Sequence, residues 1–333
     1  MGEHEVQRQH HERNSEGNLI MAQSPSNQPL PPSGIPNQPL PLPPSGTPNA
    51  GCGAGAAPVP CILCPNSVKF EEHPVTKYGF DDFTDAAKPW KSVEVGKKDR
   101  VIAKITPANA NEIANTKFKS SDETIAKVSP NTATSSSQTL EIEGVKKGET
   151  TVKATCDTSD KATLNVVVYP KKTKTVAIRL VHEKNYTSTD VADADIRAYL
   201  KKVYDQAVFE FVVTRLPAKK VAFDLNGDGK IDVDSWVSGE MQKIIDECKD
   251  TGYDHNLFLV DKPSDGSLGF MDFNQRYGFI HADKSNPSNT IAHELGHGSF
   301  GLHHFDTDTK NLMHSNLPDV WRLRKDQWEK IQQ

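Results

Sequence analysis

His293-Glu294-Leu295-Gly296-His297-Gly298-Ser299-Phe300-Gly301-Leu302-His303-His304 is the stretch on which the reading of this chain turns. It opens with an H-E-x-x-H motif. On a helix, residues four apart lie on one face, one turn apart. His293 and His297 can therefore present their imidazoles to one point. Glu294 stands one step round from the first histidine, within reach of a water held there. Two histidine ligands with a glutamate as general base is the arrangement of zinc hydrolases. Metal-free amphipathic helices carry the same letters by chance, and the downstream residues argue against that reading.

A catalytic zinc needs a third protein ligand and one open position. Were the helix to continue, His304 would share the face of His297 but lie about 10 Å along the axis, at about 1.5 Å per residue. That is too far to share an ion. Gly301 offers a stop, because glycine adopts the left-handed conformation that ends helices. A chain turned there can bring His303 or His304 back to the metal. Five of the twelve histidines (293, 297, 303, 304 and 314) fall in this short region.

Asn311-Leu312-Met313-His314-Ser315 follows. With it, the region resembles the metzincin metallopeptidases, whose motif is H-E-x-x-H-x-x-G-x-x-H followed by a methionine turn beneath the metal. This chain has three residues between His297 and Gly301 where that pattern has two. Alignment on the glycine makes His304 the third ligand; alignment on the first histidine makes it His303. We prefer His304, because the turn aims the last ligand. The string is also similar to a group of bacterial secreted peptidases reading H-E-L-G-H-G-x-F-x-L-x-H, where the last histidine is again His304. The resemblance implies zinc on His293, His297 and His304, Glu294 as general base, and Met313 as the methionine of the turn. The turn is similar to the astacin S-I-M-H-Y, with Ser315 in place of its tyrosine. Tyr277 and His314 are then candidates for binding the oxyanion.

The whole-chain totals set bounds. A length of 333 residues suggests about two domains. Apolar residues make up 35% and prolines number 22, so part of the chain is not packed core. The net charge of −5, with both signs spread along the chain, argues against a nucleic-acid surface. No apolar run approaches the about 20 residues of a membrane span. The polar N-terminus MGEHEVQRQHHERNSEGN lacks the apolar core of a secretory signal. Val6 stands where a myristoylation signal wants Ser or Thr. Export would need a route without a classical signal peptide; the other expectation is a cytoplasmic protein. The five cysteines (52, 61, 64, 156 and 248) are odd in number and scattered, which is no disulfide framework. Cys61-Ile62-Leu63-Cys64 is a lone C-x-x-C and reads as a disulfide or a free thiol pair; Cys156 reads as a buried core thiol.

Residues 1–60 are rich in Pro, Ser, Asn and Gly and are expected to be a disordered tail. Residues 61–91 read as a transitional segment. Residues 92–169 carry SVEV, RVIAKITP, ETIAKVSP, TLEIEGV, GETTVKATC and ATLNVVVYP, alternating runs at regular spacing that indicate a β-sandwich. VGKKDRVIAKITPANA, FKSSDETIAKVSP and IEGVKKGETTVKAT are similar to bacterial immunoglobulin-like domains, which implies a spacer or docking module.

Residues 170–333 read as the zinc domain. TVAIRLVH, FEFVVTRL, KVAFDL, HNLFLVD and YGFIHAD are expected strands. Asp190 is expected to cap a helix with the stripe Ile196, Tyr199, Leu200, Val203 and Ala207. A second helix carries Trp236, Met241, Ile244, Ile245 and Cys248. Asn286 and Pro287 open the metal helix, and Trp321, Trp328 and Ile331 mark a closing one. Asp224, Asn226, Asp228 and Asp232 begin like a calcium loop, with Ser235 at its twelfth position. They read equally as a β-hairpin turned at Asn226-Gly227. Calcium there would be structural.

The expected fold is multidomain: a disordered N-terminal tail, an all-β Ig-like sandwich, then an α+β metzincin-like zincin domain. The expected function is a zinc-dependent endopeptidase acting on a protein or peptide substrate. A tail, an Ig-like spacer and a terminal peptidase without a signal sequence suggest an exported bacterial effector or toxin, with secretion machinery or an immunity protein as partner. Two alternatives stand beside it: an Ig-like binding or adhesion protein with a structural zinc domain, and a cell-wall peptide hydrolase.

Overall fold

Period-two burial builds the first half of the structure. In Lys98–Thr106, Asp99, Val101, Ala103 and Ile105 are buried and the residues between them are not. In Ser137–Gly144, Gln138, Leu140, Ile142 and Gly144 repeat the pattern. Strands buried on one face must pack two sheets against each other. The computed structural model describes residues 62–333 except 107–108, 184–189, 234–236, 261–262, 282–285 and 316–318. The elements in chain order are β1 (Ser67–Glu72), β2 (Phe80–Asp81), β3 (Trp90–Glu94), β4 (Lys98–Thr106), α1 (Ala110–Asn115), β5 (Lys117–Ser120), β6 (Ala126–Ser129), β7 (Ser137–Gly144), β8 (Gly148–Cys156) and β9 (Ser159–Tyr169). One sheet has the order β1-β4-β7-β6 and the other β2-β3-β9-β8-β5. Val101, Leu140 and Ile142 of the first belong to one core with Val152, Leu164 and Val166 of the second.

The sandwich begins earlier than the sequence suggests. β1 pairs antiparallel with β4, and β2 and β3 join the second sheet, so the segment expected to be transitional contributes strands to both sheets. The buried Lys91–Asp99 pair, 2.5 Å apart, ties this segment down, with Asp99 also accepting from the amides of Lys77 and Tyr78. Cys64 is bonded to Cys156, which corrects both the pairing with Cys61 and the reading of Cys156 as a free thiol. Their Cα atoms stand 5.6 Å apart, a separation a disulfide spans. Cys52 and Cys61, like the whole tail, lie outside the described residues.

The second half holds β10 (Lys172–His182), α2 (Asp193–Tyr204), β11 (Phe209–Lys220), α3 (Gly239–Cys248), β12 (His255–Val260), β13 (Gly269–Met271), β14 (Tyr277–His281), α4 (Pro287–Phe300) and α5 (Lys325–Ile331). Its sheet has the order β11-β10-β12-β14-β13. The strands pair in parallel except β13, which runs antiparallel at one edge. β12 is buried at every position, as a parallel strand covered on both faces should be. Residues of α2 and α4 share a core with Val176, Ile178, Leu257 and Ile280 on one face. On the other, Met241, Ile244 and Ile245 of α3 pack with Val181, Phe258 and Phe279.

Four local expectations change. Asp190 does not cap α2: Ala192 holds the N-cap position, and Asp190 pairs with Arg215. KVAFDL is not a strand, since β11 ends at Lys220, and no hairpin forms at Asn226-Gly227. Trp321 precedes α5, its ring facing the Lys202 ammonium at 4.5 Å. Trp236 lies outside the described residues.

The sandwich is not a free spacer. Pro60–Gln333 is one compact unit. Across the seam the Ser92 hydroxyl donates to the Gln206 carbonyl at 2.5 Å. The Lys325 amide donates to Asp81 at 2.9 Å, and its ammonium lies 2.8 Å from Glu149. Arg322 reaches Glu72 and Asp82 at 3.2 and 3.1 Å. Gly79 lies against the fully buried Trp328 so closely that any Cβ there would overlap the ring.

Candidate metal centre

Helix α4 starts and stops for local reasons. Asn286, at φ 48° and ψ 63°, accepts from the Asn289 amide, and Pro287 occupies the first turn. At the far end Gly301 adopts the left-handed conformation, φ 61° and ψ 32°. The Leu302 amide then donates to the Gly296 carbonyl at 3.1 Å, closing the helix end. Beyond this turn the chain folds back, and His304, not His303, returns to the face of His293 and His297. His303 instead lies beside the Phe273 ring, centroids 4.5 Å apart.

The three Nε2 atoms converge: His293–His297 3.0 Å, His293–His304 3.2 Å and His297–His304 3.2 Å. Such separations would suit hydrogen bonds, but tautomers decide otherwise. His293 Nδ1 lies 2.9 Å from the Leu312 carbonyl and His297 Nδ1 2.5 Å from the Leu302 carbonyl. A carbonyl can only accept, so each Nδ1 carries the proton and each Nε2 of the neutral ring is a bare lone pair. Burial lowers the pKa of His293 to about 4, and burial with the neighbouring His293 lowers that of His297 to about 3. Lone pairs facing one another without protons repel, and a cation among them removes the repulsion. At Zn–N of about 2.0–2.1 Å, tetrahedral ligands stand about 3.3 Å apart, close to what is found. The donor set thus fits a divalent metal, and among the described residues this triad is the group that could hold one.

Glu294 is 7% exposed, and burial pushes its pKa up to about 8, opposed by the Met271 backbone amide. Met313 is fully buried, its Sδ 2.7 Å from where a Cβ on Gly296 would stand. The turn is braced from beneath. Asn311 accepts from the Met313 amide at 2.9 Å and exchanges hydrogen bonds with Gln327 at 2.9 and 3.0 Å. The Leu312 amide donates to the Arg322 carbonyl at 2.8 Å. The two oxyanion candidates part company. Tyr277 stacks on Phe258 and joins the cluster around α3, on the sheet face opposite α4 and so away from the three imidazoles. His314 sits beside Asp306, Nδ1 to Oδ1 3.7 Å.

The sequence reading missed several groups around the site. The Leu302 and Leu312 carbonyls carry no signal in side-chain letters. β13 has three residues, too short for periodicity to register. His255 lies behind the C-terminal turn of α4: its Nε2 meets the Ser299 hydroxyl at 2.5 Å, and its Nδ1 meets the Gln275 carbonyl at 3.2 Å. Lys174 donates to the Ser299 carbonyl at 2.8 Å, a cation at a helix C-terminus.

The Asp224 loop turns inward on itself. Asp224 accepts from the amides of Gly227 and Gly229, Asn226 from Asp228, and Asp228 from Lys230, while Asn226 donates to Asp232 at 3.3 Å. Asp224, Asp228 and Asp232 do not form a group of three close ligand atoms among the described residues.

Residues 85–166 match the bacterial Ig-like domain (group 2) family. No curated protein matches the chain. Among solved structures it is similar to domains 5–6 of the S-layer protein SbsC, at 23% identity and TM-score 0.22, over 26% of this chain and 42% of that one. A second SbsC structure, domains 4 and 5, aligns at 27% identity and TM-score 0.19, over 23% of this chain and 45% of that one. The chain therefore spans less than half of these S-layer structures. It is also similar to metalloproteinase-II from Bacteroides fragilis, at 12% identity and TM-score 0.36, over 73% of this chain and 84% of that one.

Proposed function

We propose that the chain is a zinc-dependent endopeptidase of metzincin-like α+β type, with His293, His297 and His304 as metal ligands and Glu294 as general base. The convergence of three Nε2 atoms, those of His293 and His297 proton-free, beside a buried carboxylate carries this reading. Zinc, when bound, supplies Lewis acidity toward a scissile carbonyl and its attacking water. Glu294 takes the water's proton and passes it to the leaving amine. The Leu302 and Leu312 carbonyls hold two ligand rings in the binding tautomer. The antiparallel edge strand β13 offers main-chain groups along which an extended protein or peptide substrate can add.

The Cys64–Cys156 disulfide supports an oxidising destination and so an exported protein. No helix among the described residues is long and apolar enough to cross a membrane. The effector or toxin role, with secretion machinery or an immunity protein as partner, is part of the same proposal. The Ig-like match favours a second reading, a binding or adhesion protein with a structural zinc domain.

The test is zinc analysis of purified protein together with casein hydrolysis, with and without a chelator. Glu294→Gln keeps all three imidazoles and is expected to retain zinc while losing hydrolysis. Hydrolysis at the wild-type rate by that variant would sink the mechanism. Stoichiometric zinc without hydrolysis of any protein or cell-wall peptide would favour the binding protein.

A further inference from the structure

The edge strand and the metal helix are fastened along a ridge that the metal ligands do not use. Thr290, Glu294 and Gly298 recur every four residues and so form one line along α4. β13 lies against that line. A Cβ on Gly269 would stand 2.8 Å from Thr290 Cγ2 and 3.0 Å from both Cγ and Oε1 of Glu294. The missing side chain is therefore the space that the Glu294 side chain fills. Two residues on, Met271 is 5% exposed. Its thioether fills the room left by glycine on both sides: a Cβ on Gly278 would come within 3.0 Å of Met271 Sδ, and one on Gly298 would overlap the Met271 side chain. After the strand, the Asn274 amide donates to the His297 carbonyl at 3.3 Å.

The pairing register explains why a Met271 amide is free for Glu294. The His281 amide donates to the Leu268 carbonyl at 2.9 Å, and Phe270 then faces Phe279 and Met271 faces Gly278. Hydrogen-bonded and non-bonded pairs alternate along an antiparallel ladder. With 268 and 281 a bonded pair, 270 and 279 are the next, and the Met271 amide points away from β14. There it lowers the Glu294 pKa against the rise that burial causes, and the carboxylate's Oε1 stands 3.0 Å from where a Cβ on Gly269, two residues before, would lie.

We propose that β13 is the positioning element for the general base: Gly269 leaves the space for the Glu294 side chain, and Met271, locked between Gly278 and Gly298, holds the carboxylate through its amide. This rests on the peptidase reading only for its kinetic consequence. Gly269 and Met271 are positioning residues, acting through Glu294. A catalytic group misplaced by about 1 Å loses on the order of a hundredfold in rate.

Two measurements on the full chain test it. The first is amide hydrogen exchange in wild type and Glu294→Ala, both zinc-loaded. The Met271 amide should be protected in wild type and exchange about tenfold faster or more in the variant, while the ladder-bonded Phe270 amide stays unchanged. Equal Met271 rates overturn the contact whatever the protein hydrolyses. The second is Gly269→Ala, with zinc affinity read by chelator competition and folding read by melting. It should lower kcat by roughly tenfold to a hundredfold, with KM and zinc affinity within about threefold. Glu294→Asp, one methylene shorter, should make Gly269→Ala less costly than it is beside glutamate, a coupling that general destabilisation does not produce. Wild-type kcat in a folded, zinc-loaded Gly269→Ala, or additive losses in the double variant, overturn the proposal. Persisting hydrolysis in Glu294→Gln overturns the peptidase reading instead.

Discussion

Replacing His255 by glutamine should remove a defined part of the acid sensitivity of folding. The ring is 5% exposed, and both nitrogens are used in the neutral form: Nδ1–H donates to the Gln275 carbonyl and Nε2 accepts from Ser299. Burial, helped by the Lys174 charge, lowers its pKa from 6.5 to about 4. The folded value lies below the unfolded one, so the unfolded chain takes up the proton first. Stability is therefore complete above about pH 6.5 and falls as the pH drops toward about 4. The whole difference corresponds to about 3 kcal/mol, at about 1.4 kcal/mol per tenfold. Between about pH 7.5 and about pH 5 the share is about 2 kcal/mol. Urea unfolding of wild type and His255→Gln at both pH values isolates it, because the other titrating groups cancel in the comparison. Wild type should lose about 2 kcal/mol more than the variant. Parallel losses in the two proteins would refute the burial argument.

Three further outcomes are expected. Gly301→Ala places a Cβ in the left-handed region and should cost about 1–2 kcal/mol while weakening zinc binding; unchanged zinc affinity would mean that the turn does not aim His304. Cys156→Ala opens a link between residues 92 apart and should cost about 4–5 kcal/mol in the chain-entropy account. Identical urea midpoints for the oxidised and reduced protein would contradict that. Trp328→Ala empties a fully buried site facing Gly79 and should cost about 3–5 kcal/mol, read as a lower melting temperature; a change under about 1 kcal/mol would mean that the seam carries little stability.

What could be read from the sequence was whatever local chemistry dictates. Asn286-Pro287 and Gly301 bracket a helix by cap preference and backbone freedom, and the ends of α4 lie there. Alternation located most of the sandwich, because strands such as β4 and β7 bury alternate residues against the facing sheet. What escaped depends on partners distant in sequence. Cys64 finds Cys156 only because β8 ends beside the segment before β1. β13 exists as a strand through its pairing with β14, not through its own three residues. Tyr277 was drawn in by its chemistry, and only the pleat, which alternates faces along β14, shows that it points away from α4. KVAFDL alternated like a strand, yet the amides of Phe223 and Asp224 donate to Glu183 and that of Leu225 to Glu240, which takes the place of a ladder.

Only Pro170 and Lys171 separate β9 from β10, and Trp328 presses against the bare backbone of Gly79. A module often pictured as an interchangeable bead is here welded to its neighbour. Grafting a different sandwich in its place would remove Glu72 and Asp82 from Arg322 and Glu149 from Lys325, and the Arg322 carbonyl is the one that holds Leu312. The two halves are cut to fit each other, residue against residue, along this seam.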